Sequence, residues 1–103
     1  MIARMRVSAA NAPAYEALIS YVAAMTLRHE PGVPYYAWAR SVDEPDTYLV
    51  VEVYRDAAAH AAHMASDWVR GSIAKSKELV DGGFDIRQYV SGDSEPVRLT
   101  MQR

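Results

Sequence analysis

Hydrophobic positions along this chain switch between a two-residue and a 3.6-residue period, and the switches mark its elements. Residues 2–7 read as a short strand, and Asn11-Ala12-Pro13 then supplies a helix cap and a first-turn proline. Tyr15, Leu18, Ile19, Val22, Met25 and Thr26 recur at helical spacing until Glu30-Pro31-Gly32, so this helix runs to about Arg28. Residues 33–40 and 48–54 are rich in aromatic and β-branched side chains and predict two strands joined at Asp43-Glu44-Pro45-Asp46. Asp56 caps an alanine-rich helix through Met64, and Ser66-Asp67 offers a second cap ahead of Trp68, Ile73, Leu79 and Val80, which predicts a broken or kinked helix. Asp81-Gly82-Gly83 ends it, and residues 84–90 form a fourth strand with Phe84, Ile86 and Val90 on one side.

This β-α-β-β-α-β order gives an α+β, ferredoxin-like fold: an antiparallel sheet with helices on one face. Residues 1–90 form the domain. Residues 91–103 are a tail whose weak strand character, from Pro96 to Met101, suits a contact with a partner subunit. The strand at 48–54 carries Leu49, Val51 and Val53 on one face, and Tyr48, Val50 and Tyr54 on the other. One helical layer covers only one of these faces, so the expected assembly is a homodimer that closes two half-barrels into a dimeric α+β barrel.

Composition narrows the chemistry. The net charge of −2 supplies no basic field, which argues against nucleic acid as a partner. With no cysteine there is no disulfide, thiolate nucleophile or cysteine-bound metal. No apolar run has the length of a membrane span, the first residues do not read as a signal peptide, and the expected location is cytoplasmic with no membrane partner.

His63 is the leading site candidate, because an imidazole exchanges protons near neutrality. His60, one turn earlier, makes a His-x-x-His pair that lacks a third ligand, so no metal is expected. His29, at a helix end, reads as structural. Glu52 interrupts an apolar strand: its plain reading is a structural pair with Arg4 or Arg6 of the neighbouring first strand, and its sharper reading is a catalytic carboxylate. Tyr36, Trp38, Tyr54 and Trp68 are either core or the aromatic wall of a pocket for a flat substrate.

Across residues 2–90 the chain resembles the antibiotic biosynthesis monooxygenase family of small dimeric α+β-barrel proteins. The resemblance rests on Pro31-Gly32 followed by Tyr36, on Glu52 just before Tyr54, on Asp56 opening the second helix, and on His63-Met64-Ala65-Ser66-Asp67-Trp68-Val69. That last segment stands where the family carries His-x-x-Ser-x-His-Phe, so His63 and Ser66 match and Trp68 replaces the second histidine. The resemblance implies a monooxygenase, independent of cofactors, acting with dioxygen on a hydroxylated aromatic such as a quinol, an anthrone or a polyketide intermediate. In that setting His63 and Glu52 are catalytic, and Tyr36, Trp38, Tyr54 and Trp68 bind substrate. Haem degradation occurs on the same architecture, but Ile73 and Ala3 stand where that branch has its iron-ligating histidine and an asparagine. Isomerisation of a small carbonyl signal molecule and ligand binding without catalysis are the remaining alternatives.

Overall fold

A strand that is apolar on both faces has to lie between a helical layer and something else, and the chain folds around that requirement. The computed structural model describes residues 1–92. In chain order they form β1 (Ile2–Arg6), α1 (Ala12–His29), β2 (Tyr35–Arg40), β3 (Thr47–Val53), α2 (Ala57–Ala65), α3 (Asp67–Leu79) and β4 (Asp81–Arg87). The four strands make one antiparallel sheet in the order β2-β3-β1-β4, the ferredoxin-like arrangement. The tail beyond residue 92, including its expected contact with a partner, lies outside the described residues.

Side-chain parity divides the sheet. Ala3 and Met5 of β1, Tyr36 of β2, and Tyr48 and Val50 of β3 are buried beneath the helices with Tyr15, Ile19 and Val22 of α1 and Val69 of α3. On the opposite face Tyr35, Leu49 and Val53 are exposed, at 53%, 36% and 41%, so the bare apolar face expected for β3 is present. Arg4 lies across from Leu49 in the β1–β3 register and therefore points to that open face, where it pairs with Glu44. Glu52 points the other way and is fully buried. The expected pairing of Glu52 with Arg4 or Arg6 is thus corrected by parity: strands can be neighbours while their charged side chains project from opposite faces.

Two further expectations change. Asn11 precedes α1, but its side chain makes no cap bond; its amide donates instead to the Leu79 carbonyl at the end of α3, 3.3 Å away, tying the two helices together. The glycines after α3 belong to the strand. Leu79 closes the helix, and Gly82 adopts φ 74° where the β1–β4 register slips between Arg4 and Arg6, a bulge position that an L side chain fits poorly. Beginning earlier, β4 also ends earlier: Phe84 and Ile86 pack on the core, whereas Val90 lies beyond the strand and is exposed.

At the far end of the helical face from α2, the Tyr48 hydroxyl donates to Glu16, which also pairs with Arg40 at 3.2 Å. Burial first, and the Glu16 bond second, raise the Tyr48 phenol above its ordinary value of 10.0. The unfolded chain therefore ionises this tyrosine before the folded one does, so the contribution is intact below pH 10 and is lost as pH rises further. Denaturant unfolding between neutral and strongly alkaline pH should show wild type losing stability above that point, with a shallower fall in Tyr48→Phe.

Candidate active site

Three features of local structure bring separated residues to one point. Glu30 follows the last residue of α1, where Pro31-Gly32 forces the chain out of the helix and back toward the sheet. Asp56 accepts from the Ala59 amide at 2.8 Å and starts α2 immediately after Tyr54 and Arg55 leave β3. Ser66 breaks the second helical run as its sequence predicts: its hydroxyl donates to the His63 carbonyl at 2.7 Å and accepts from the Val69 amide at 3.4 Å, so one serine closes α2 and opens α3. The bend places His63 and Trp68 on either side of it, both aimed at Glu30.

The result is a histidine held between carboxylates. His63 is fully buried, and its Nδ1 lies 3.1 Å from both oxygens of Glu30. Its Nε2 lies 3.8 Å from Oε1 of Glu52, which also accepts from the Tyr54 hydroxyl. Trp68 donates its indole N–H to Oε2 of Glu30 at 2.8 Å. Aromatic rings enclose the imidazole: Tyr36 at 5.3 Å and Tyr54 at 5.4 Å between centroids. His60 meets the edge of Tyr54 at 4.9 Å, and His29 lies 5.3 Å from Trp68. Among the described residues, no group of three or more histidine or acidic side chains is arranged to hold a metal ion.

The structure therefore gathers His63, Glu52, Tyr36, Tyr54 and Trp68. Trp38 is placed elsewhere: its indole donates to Ser20 at 2.9 Å and its ring packs against Tyr48. Trp68 faces Glu30 and His29, and so acts on His63 through the carboxylate. Glu30 is the member of the cluster that its sequence context conceals, because beside Pro31-Gly32 it reads only as part of the helix stop. The available signal was an acid at a helix C-terminus, where the dipole disfavours negative charge, so that a local cation or donors are needed to hold it there.

A cleft of about 40 Å³ between the sheet and α1 and α3 lies next to this cluster, lined by Met5, Ile19, Val22, Val50, Ile73 and Phe84 among others. Glu30, Glu52 and His63 do not line it; Tyr36 does, and is thus the side chain common to cleft and cluster. Packing of the Pro31-Gly32 loop on α2 keeps the cluster closed on its other side. The Arg55 amide donates to the Gly32 carbonyl at 2.8 Å, and a Cβ at Gly32 would stand 2.7 Å from Cβ of Ala59. Both atoms are fixed to backbone, so Gly32→Ala should push α2 and its histidines outward and cost about 1–3 kcal/mol. A urea midpoint equal to that of wild type would show the contact to be yielding.

The ferredoxin-like sheet, with a carboxylate-flanked histidine sealed beneath its helices beside an apolar cleft, defines a small α+β protein whose polar site lies in the interior. The chain belongs to the antibiotic biosynthesis monooxygenase family, whose model matches residues 1–75. That span contains every residue of the cluster. A candidate antibiotic biosynthesis monooxygenase from Caulobacter crescentus is similar at 27% identity and a TM-score of 0.78, over 82% of this chain and 79% of its own. A protein from Shewanella oneidensis is 28% identical with a TM-score of 0.76, over 85% and 84% of the two chains. A candidate member from Deinococcus radiodurans, at 24% identity and a TM-score of 0.79, shares the fold over 94% of this chain and 95% of its own. No curated protein matches the chain. No helix of the described residues is long and apolar enough to cross a membrane.

Proposed function

We propose that this chain is a monooxygenase of hydroxylated aromatics that needs no cofactor, with the Glu30–His63–Glu52 line as proton acceptor and the cleft beside Tyr36 as the seat of the substrate. The observation that carries this reading is one buried imidazole between two carboxylates, Glu52 fully buried and Glu30 nearly so. A charged imidazole there still leaves one negative charge over, so the cluster can take up a proton without becoming positive. Tyr36 packs its ring against His63 and also lines the cleft, which makes it the boundary between the two.

The chemistry asks little more of the protein. Loss of a proton from a phenol or an anthrone methylene leaves an electron-rich anion that passes one electron to dioxygen. The resulting radical pair joins through a C–O bond to form a peroxide. In the anthrone case the peroxide loses water to leave a carbonyl, so methylene plus dioxygen gives carbonyl plus water and the substrate supplies all the electrons. The protein's part is to position the ring, take the proton and exclude water. Purified protein given an anthrone or a reduced quinol should consume oxygen and, with isotopically heavy dioxygen, place the label in the product. Turnover that continues unchanged under argon would replace this reading with isomerisation of a carbonyl compound, and binding without turnover would replace it with a ligand-binding role.

The working form in this reading is a homodimer joined through the open face of the sheet. Tyr35, Leu49 and Val53 adjoin Ala37 and Val51 there, forming an apolar surface of a kind that monomers seldom leave bare. The charged residues Arg4, Asp85 and Arg87 occupy the β1–β4 side of the same face. Leu49→Glu should shift the protein from dimer to monomer in light scattering after size exclusion. A wild type already monomeric at micromolar concentration would end this part of the proposal.

A further inference from the structure

A space of about 40 Å³ is small, since a single water needs about 10–15 Å³ of it. The cleft beneath α1 and α3 therefore holds whole only a molecule of a few heavy atoms. Its wall is mainly apolar, from Met5, Ile19, Val22, Val50, Ile73 and Phe84, and the exposed Lys77 marks its outer end. Two hydroxyls of the wall are already committed: Ser72 donates to the Val69 carbonyl at 2.8 Å, and Tyr15 to the Met5 sulfur at 3.4 Å. A buried water needs about two to four polar partners, and an apolar space poor in them stays dry and takes up apolar gases.

Tyr15, Ile19, Val22 and Thr26 form the buried stripe of α1, and the first three line the cleft. Thr26 follows Val22 by one helical turn and precedes Glu30 by another, and its carbonyl accepts from the Glu30 amide at 2.9 Å. The cleft, Thr26 and the carboxylate that holds His63 thus succeed one another along one side of the helix. Thr26 is fully buried, and its hydroxyl has no hydrogen-bond partner among the described residues. A threonine within a helix can satisfy this group on the carbonyl one turn back, so an orphan here is a penalty that packing does not explain. We infer that the cleft holds dioxygen, and that the Thr26 hydroxyl donates to it as it is reduced. Neutral dioxygen is apolar and enters without needing a donor. When the aromatic anion gives up one electron it becomes a radical and dioxygen becomes superoxide, a buried anion that does need one. A donor unsatisfied at rest and satisfied only then favours the charged state over the resting one. Superoxide and radical then join through the C–O bond of the peroxide, with no other reductant. Of the two substrates the cleft seats the smaller whole, and the aromatic meets it with its reacting edge. The inference deepens the oxygenase reading by siting its dioxygen and adding a donor, and it rests on that reading for the electron.

Nuclear relaxation under dioxygen pressure tests occupancy without turnover, because dioxygen is paramagnetic and speeds the relaxation of methyls it touches. The methyls of Val22, Val50 and Thr26 should be enhanced several-fold over those of Val7 and Val33, which are as deeply buried but do not line the cleft. Ser72→Leu, which fills the cleft, should abolish the difference. Thr26→Val keeps the shape and removes only the hydroxyl, so its melting temperature should equal or exceed that of wild type. Its kcat/KM for dioxygen should fall by about tenfold or more, the loss of one hydrogen bond to an anion, and Thr26→Ser should keep most of the rate. Even relaxation across the core, a pattern unmoved by Ser72→Leu, a Thr26→Val protein melting more than about 4 °C below wild type, or one with unchanged dioxygen kinetics would each overturn the inference. A protein with the stated relaxation pattern that never consumes oxygen refutes the oxygenase reading, and the part of Thr26 in it, but not the gas site. One that consumes oxygen while its relaxation is even refutes this inference alone.

Discussion

Replacing His63 with leucine is expected to lower stability by about 3–5 kcal/mol, a fall in melting temperature of more than about 10 °C, together with a loss of turnover of about a hundredfold to ten-thousandfold. The stability loss follows from what remains behind. His63 and Glu52 are fully buried and the Glu30 side chain is only 10% exposed, so removing the imidazole leaves two carboxylates in the interior without the polar ring that lies between them and bonds to Glu30. The double substitution Glu52→Leu with His63→Leu should therefore recover a substantial part of the lost stability, because an apolar pair of similar volume is tolerated where a single stranded charge is not. It should recover none of the turnover. Urea unfolding of the three proteins, read beside oxygen uptake, separates the two effects. A single variant within about 1 kcal/mol of wild type would mean that the cluster carries little charge in the folded state.

That a fold could be read from the sequence while part of its site could not has a physical basis. Element order follows from periodicity, which is local: the stripe from Tyr15 to Thr26, the alternation of β3 and the second cap at Ser66 each write their own segment and need no partner to be recognised. His63, Glu52, Tyr36 and Tyr54 were legible for another reason, a resemblance whose motifs run through the segments that converge. Pairwise contacts across the chain were not legible. Adjacency in the sheet points Glu52 to Arg4 or Arg6, and parity puts them on opposite faces; Asn11 has the composition of a cap, and its amide serves another helix. Glu30 was hidden because the signals around it, a proline and a glycine, already explained the end of α1. Trp38 carries the same aromatic signature as Tyr36 and shares its face of β2, yet two residues along the strand is far enough to put it with Ser20 and Tyr48 in place of His63.

Glu30→Ala is expected to be nearly as damaging, by a different route. The Glu30 carboxylate accepts from two donors at once, the Nδ1–H of the buried His63 and the Nε1–H of the half-buried Trp68, and alanine leaves both without their acceptor, at about 1–3 kcal/mol for the buried one and less for the other. The imidazole, freed from its anchor, no longer presents a fixed nitrogen toward Glu52, so turnover should fall by at least tenfold. Glu30→Gln keeps one acceptor oxygen and should lie between alanine and wild type in both stability and rate. Trp68 supplies the decisive comparison, since it stands where the family carries a second histidine and touches His63 only through Glu30. Trp68→Phe alone should cost about 1.5–3 kcal/mol, the strength of a hydrogen bond to a charged group. In the Glu30→Ala background the same change should cost much less, because the bond it removes is already gone. An interaction energy of about 1 kcal/mol or more in this double-mutant cycle would place the tryptophan in the histidine's positioning role. Additive losses would instead make Trp68 a packing residue and leave Glu30 to hold His63 alone.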